Sequence, residues 1–413
     1  MKRASVINIG NELLSGETVS TNAAYLGEQL LSIGIPVVST YIIGDDIESI
    51  LRSFNFAYND ADLVISTGGL GPTDDDLTRQ ALAKLLGCEL QLQEDLLQKI
   101  QAFFTGRNRQ MSSRNKIQAY IPAGAKALEN NLGTAPGIMA ELKGKTLFAL
   151  PGVPSEMKRM FEESILPELK SLSVEQAVVV KKLRCFGTGE SNIAELLGDI
   201  MERGRNPLIN CTVRQGVITL HIIATAKDKS RAQLMAEKDE KILRSKLGEL
   251  IYGIGEQTLA EVVGEKLAQQ KQTIAVAESC TGGSIAKLLT DIPGASRYFK
   301  QGWITYSNDA KISELGVPAS LIEQHGAVSE QVAEAMARGA RKRAGTTFAI
   351  GVTGIAGPTG ANELKPVGLV YISVDSDSGC ATERFIFHHD RVSIRLRAAQ
   401  TALNMLRLKC SID

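Results

Sequence analysis

A chain of 413 residues is too long for one comfortable hydrophobic core, so two or three domains are expected. Its 44% apolar and 22% charged content is that of an ordinary globular protein. The 46 basic side chains against 46 acidic ones exclude a global attraction to nucleic acid or to an anionic membrane.

Apolar Ala4–Ile9 is predicted as a buried strand, and Asn22–Ser32 as a helix on the spacing of Ala23, Leu26 and Leu30. Val37–Ile43 follows as a strand, Ile47–Asn59 as a helix and Ala61–Thr67 as a third strand. Alternation of this kind implies a mainly parallel sheet with helices on both faces. Ligands of such sheets sit beyond the carboxyl ends of the strands, where both glycine-rich loops of this region fall. Further on, Gln176–Phe186 and Val217–Ala226 read as strands, and Ser191–Arg203 and Lys229–Lys246 as helices. That is a compact α+β module with no cluster of catalytic side chains. The last region starts near Thr258 with a helix (Leu259–Gln270), a strand (Thr273–Ala277), a loop at Ser279 and a helix (Ser284–Asp291). Strands return at Thr347–Val352 and Gly368–Val374, and a helix, Ile394–Leu408, closes the chain. Boundaries are expected near Ser171–Ser173 and Gly253–Glu256, dividing an α/β multidomain chain into 1–170, 171–255 and 256–413.

No apolar run approaches the ~18 residues of a membrane span. The basic start Met1-Lys2-Arg3 precedes too short an apolar stretch for a signal peptide. Six scattered cysteines without a CxxC pair fit a reduced, cytoplasmic protein. Four histidines argue against a His-rich metal centre and restrict the choice of general base.

In the segment Ala277-Glu278-Ser279-Cys280-Thr281-Gly282-Gly283, a strand delivers a hydroxyl into a turn and glycines open a helix. Such a place suits a nucleophile, with N–H groups around Gly282 and Gly283 holding an oxyanion or a phosphate. Taken alone, Ser279 is most simply a helix cap. Two other loops change the balance: Gly302–Lys311 carries Tyr306 and Lys311, and Gly351–Pro358 carries Thr353. With no histidine in these loops, Lys311 is the candidate base, provided burial lowers its proton affinity; otherwise it is an ordinary exposed helix lysine. Cys280 is the rival nucleophile, read here as a small packing residue.

The motifs Glu278–Gly283, Thr305–Asn308, Gly326–Glu330 and Thr353–Pro358, in that order, resemble the C-terminal domain of the CinA (competence/damage-inducible) family. The resemblance implies a nicotinamide-nucleotide amidase that turns nicotinamide mononucleotide into nicotinic acid mononucleotide and ammonia, without a metal. It puts the nucleophile on Ser279, the base on Lys311 and an assisting tyrosine on Tyr306. Substrate contacts are implied at Thr281, Gly282, Gly283, Thr353, Gly354, Gly357, Arg391 and Arg395. The family's Gly-Asp-Arg motif reads His389-Asp390-Arg391 here, so the expected glycine is a histidine.

Upstream, Thr67–Thr78 follows a strand and opens a helix, with glycines that admit a phosphate and the acidic run Asp74-Asp75-Asp76. Aspartates beside a phosphate call for a bridging divalent cation; otherwise they are an acidic first helical turn. This stretch, with Gly10–Gly16, Gly44–Asp46, Gly133–Gly137 and Pro151–Met157, is similar to the MoaB/MogA-like N-terminal domain of CinA proteins. The resemblance implies an ADP-ribose pyrophosphatase releasing AMP and ribose 5-phosphate, with a divalent metal of the Mg, Mn or Co type. Its site would comprise Glu12, Asp45, Gly68, Gly69, Gly71, Thr73, Asp74 and Asp76, with Asp45 and Asp76 on the metal. The family's middle module is KH-like, but no Gly-x-x-Gly clamp is present, so RNA is not an expected partner. A homodimer is implied by the family. A molybdopterin-type enzyme or a nucleotide-sensing protein with an inactive C-terminal extension is the competing reading.

Overall fold

The computed structural model describes residues 2–171 and 177–410. Two compact units emerge, one from the chain up to Val179 with Ala224–Met235, the other from Val180–Ile223 with the chain from Ala236 onward.

In the first unit a six-stranded sheet has the order Val37–Ile43, Ala4–Ile9, Leu63–Thr67, Lys145–Leu150, Gly137–Leu142, Lys126–Leu128. The first four strands run parallel and the last two antiparallel, so the sheet is mixed at one end only. Alternation along the strands explains the burial of both faces. Ile7, Val64 and Leu147 cluster with Phe54 and Ala57 of the helix Ile47–Asp60 and Leu82 of Thr78–Leu86. Val6, Ile65 and Phe148 join Leu26 and Leu30 of Thr21–Ser32 and Met157 of Pro154–Met160. Parallel pairing sets Asn8 beside Thr67, which brings the loops after Ile9 and Thr67 to one sheet edge.

The middle stretch forms a four-stranded sheet in the order Leu208–Arg214, Val217–Ala226, Ala177–Cys185, Ile251–Ile254, with helices Glu190–Leu197 and Lys229–Leu247. In the second unit a five-stranded sheet has the order Phe299–Ile304, Ile274–Glu278, Phe348–Gly354, Leu369–Ser376, Gly379–Ile386. Its first three strands are parallel and the last two antiparallel. Ile274 and Val276 pack with Leu403 and Leu406 of the closing helix Arg391–Lys409. Ala275 and Ala277 face the other way, with Val332 and Met336 of Glu330–Ala344. Phe186, Val217 and Tyr252 belong to the same cluster as Leu403, so the middle stretch and the last share a core.

Most expected elements are found within a residue or two. Several strands were not expected, among them Gly137–Leu142 and Lys145–Leu150; of the others, Leu208–Arg214 and Gly379–Ile386 are sheet edges with charged or polar residues at exposed positions, which hides the apolar period. The connection expected at Ser171–Ser173 and the strand start at Gln176 fall largely on Leu172–Gln176, outside the described residues. At the other expected connection a turn follows Ile254, and a capping box opens the next helix: Glu261 N–H donates to Thr258 Oγ1, and Thr258 N–H to Glu261 Oε2. Among the described residues no helix is long and apolar enough to cross a membrane.

Candidate functional site

Three parallel neighbours end together in the second unit. Glu278 pairs with Ile304 on one side and Val352 on the other, so the residues that follow each strand meet at one edge. Ser279 N–H donates to Val352 O at 3.0 Å, and Thr305 N–H to Glu278 O at 2.9 Å. These bonds fix the serine and the Thr305-Tyr306 loop against each other. Ser307 caps the helix Asn308–Leu315 by accepting from Ala310 N–H, which turns Lys311 inward.

Lys311 is only 1% exposed. Its Nζ donates to Ser279 Oγ at 3.2 Å, to Thr305 O at 2.9 Å and to Tyr306 O at 3.4 Å. Burial lowers its proton affinity below that of an ordinary lysine. Among the described residues no carboxylate pairs with it. A lysine in this setting is not a solvated helix lysine. Nor is Ser279 a helix cap: the following helix, Ser284–Thr290, has Gly283 at its cap position and takes no bond from the serine side chain. Cys280, buried beside it, has its thiol pushed up to about 12 by burial, with the Glu278 charge acting in the same direction. It is a packing residue rather than a thiolate.

The glycine pair does not offer the donors expected of it. The N–H groups around Gly282 and Gly283 are not open to an oxyanion or a phosphate. Gly283, Ile285 and Ala286 N–H donate to the carboxylate of Glu278 at 3.0, 3.1 and 2.8 Å, and Gly282 N–H to Ser279 O at 3.1 Å. Glu278 is the residue that the sequence reading missed. A glutamate ending a buried strand has no signature of its own; its complete burial is what marks it.

The remaining positions divide. Tyr306 does not meet Ser279 through its hydroxyl, which accepts from Arg391 Nη2 at 2.9 Å. Arg391 Nη1 donates to Gly357 O at 2.6 Å, bringing the Gly351–Pro358 loop to the same place. Thr353 is buried and donates to Ala327 O at 2.7 Å, so its hydroxyl holds a neighbouring loop. Gly354 closes its strand. Arg395 donates through Nε and Nη2 to Thr281 O, and lies over Gly282, where a Cβ would come within 2.7 Å of Nη2. With φ at 59°, Gly282 is glycine for both reasons. His389, standing where the family has glycine, carries a positive φ of 151°.

At the edge of the first unit's sheet the chain reverses at Gly68, with φ at 106° and Ile9 O only 2.1 Å from where a Cβ would sit. Gly69 and Gly71 continue the loop. Asp76 organises it: Gly71 N–H donates to Oδ1 at 2.7 Å, and Thr73 donates through N–H and Oγ1 to Oδ2 at 2.8 and 2.5 Å. Beneath lies Arg79, 1% exposed, its guanidinium donating to Leu70 O and Gly71 O. This arginine also escaped the sequence reading; burial drives it down to about 10, with Asp76 opposing. Asp76 thus braces the loop. Asp45 accepts from Asn11 N–H at 2.8 Å and is raised by burial, then by the charges of Glu12, Asp75 and Asp76. Asp74 is exposed. Among the described residues no three His, Cys, Asp or Glu side chains assemble as a metal cage. A Mg-type ion held by one or two carboxylates and substrate phosphates needs none, and Asp45, crowded by like charges, has the chemistry to take one.

Comparison with known proteins decides the lineage. Residues 5–171 match the family profile of the probable molybdopterin binding domain, 180–253 the damage-inducible protein CinA KH domain and 256–410 the CinA C-terminal domain. A CinA-like protein of Kosmotoga olearia is 44% identical over 406 residues, 98% of each chain. The chain belongs to the CinA family. A putative competence-damage inducible protein of Caldicellulosiruptor bescii is 42% identical, again over 98% of each chain. Among solved structures, a CinA protein of Thermoplasma acidophilum, described as of unknown function, is 38% identical; the match covers 41% of this chain and 98% of that one, at a TM-score of 0.38. The order of a MoaB-like, a KH-like and a CinA C-terminal domain is therefore that of the family.

Proposed function

We propose that the protein is a pyridine-nucleotide salvage hydrolase whose C-terminal domain deamidates nicotinamide mononucleotide to nicotinic acid mononucleotide and ammonia. The observation that carries this reading is Lys311: buried, unpaired with any carboxylate among the described residues, and bonded to Ser279 Oγ at 3.2 Å. A lysine whose proton affinity is lowered by burial serves as base when neutral. Ser279 Oγ then attacks the carboxamide carbon while its proton passes to Lys311 Nζ. The tetrahedral intermediate collapses as Nζ returns that proton to the leaving nitrogen, and ammonia departs. Water, activated by the same amine, hydrolyses the acyl ester and frees Ser279. With the Gly282-Gly283 donors engaged, the oxyanion would have to be met by other donors, and Thr281 N–H, two residues after the nucleophile, is the candidate. Arg391 and Arg395 each use two donors on protein oxygens and keep three for a substrate phosphate.

For the N-terminal domain the proposal is hydrolysis of ADP-ribose to AMP and ribose 5-phosphate with a divalent metal. Asp45 would hold the ion, which supplies charge neutralisation at the pyrophosphate; the glycine loop, its Gly68, Gly71 and Thr73 N–H groups engaged on Leu150 O and Asp76, would admit the phosphates by close backbone approach rather than by those donors. The test is a two-substrate assay on the purified protein, with and without EDTA. Ammonia release from nicotinamide mononucleotide that EDTA leaves intact, and AMP release from ADP-ribose that EDTA stops, is the expected pattern. Binding of both nucleotides with turnover of neither would favour a nucleotide-sensing role instead.

A further inference from the structure

Glu278 ends the strand that delivers the serine and is fully buried, at 0% exposure. No cation pairs with it among the described residues. Its charge is met instead by three backbone donors, Gly283, Ile285 and Ala286 N–H, at the start of the next helix. A buried carboxylate persists only when its oxygens are satisfied in this way. The side chain therefore ties strand end to helix start across Ser279–Gly282, closing the serine turn into a ring. Its main chain does a second job. Glu278 O accepts from Thr305 N–H at 2.9 Å, Thr305 O accepts from Lys311 Nζ at 2.9 Å, and Nζ reaches Ser279 Oγ. One residue thus anchors both the nucleophile's turn and the loop that holds the base.

We propose that Glu278 is a positioning residue for the Ser279–Lys311 pair, its carboxylate holding the turn in which Oγ lies within reach of Nζ. The proposal rests on the amidase reading above. A misplacement of about 1 Å between reacting groups is enough to lower a rate roughly 100-fold, whereas a residue serving the fold alone changes only the amount of folded enzyme. Glu278→Gln puts an amide NH2 against one set of backbone donors, and Glu278→Asp keeps the charge but shortens its reach. Both would be assayed for ammonia release beside wild type and Ser279→Ala, with thermal unfolding and ADP-ribose hydrolysis measured on the same preparations. The expected result is folded protein whose kcat falls about 10- to 100-fold while KM stays within about threefold. An unchanged kcat per folded molecule, a change confined to KM, or failure of both variants to fold would each overturn the assignment. If wild type releases no ammonia, the amidase reading fails separately. The inference is then read from labelling of Ser279 by a fluorophosphonate: slower labelling in Glu278→Gln upholds it, and equal labelling sinks it.

Discussion

At Ser279 two roles make opposite demands on one substitution. A serine that caps a helix contributes about 0.5–2 kcal/mol, so Ser279→Ala would lower the melting temperature by several degrees. The serine here bonds to Lys311 and caps nothing. Ser279→Ala is therefore expected to abolish ammonia release while leaving thermal unfolding within about a degree of wild type, and Cys280→Ala to keep its turnover. Lys311 sets the pH dependence. Burial lowers its pKa from the ordinary lysine value, so the neutral, proton-accepting amine grows in as pH rises through that lowered value. The logarithm of kcat should climb with unit slope and level off below pH 10.5, the unperturbed lysine pKa. A rate that falls across that range would remove Lys311 as the base. His389 carries a third expectation. A non-glycine residue at φ 151° is strained by about 1–3 kcal/mol, part of which glycine's extra chain entropy offsets. His389→Gly should raise stability by about 1 kcal/mol, read from the denaturation midpoint.

Among elements, the two glycine-rich turns differ in what holds them, and only some of this was written in the sequence. The serine turn and its lysine partner were legible because the chain has few histidines and because four motifs in order resemble a family. Glu278 was not legible: its three partners lie five, seven and eight residues on, a spacing that belongs to no periodic element. The family resemblance puts Asp76 on a metal, yet its oxygens are turned back onto Gly71 and Thr73. Sequence shows which charges are close along the chain, but not which way a loop directs them. Arg79 was invisible for a related reason, since a single arginine in a helix normally reads as solvent-facing. A consequence separates the two aspartates. Asp76→Ala leaves Gly71 N–H and Thr73 without their acceptor and should cost about 1–3 kcal/mol of stability, seen as a lower melting temperature. Asp45→Asn keeps an oxygen that can accept from Asn11 N–H, removes the charge and relieves crowding by Glu12, Asp75 and Asp76. It should leave the melting temperature near wild type and still stop AMP release.

For the molecule as a whole, the question is whether two sites on two compact units act independently. The glycine loop and Asp45 lie in the first unit, and Ser279 with Lys311 in the second. Each site is assembled at one edge of its own sheet, from strands adjacent within that sheet. The residues named for each site all belong to that site's own unit. Energetic coupling would require a two-state element that both ligands bias. Without one, the effects of Ser279→Ala and Asp45→Asn should be orthogonal. The first should remove ammonia release and leave AMP release unchanged within about twofold, the second should do the reverse, and the double variant should lose both. EDTA should reproduce the Asp45→Asn pattern, since the proposed serine–lysine mechanism uses only protein groups and water. Saturating ADP-ribose should likewise leave the KM for nicotinamide mononucleotide unaltered. A loss of both activities from either single change, in protein that still unfolds cooperatively, would mean that the two units share one functional state.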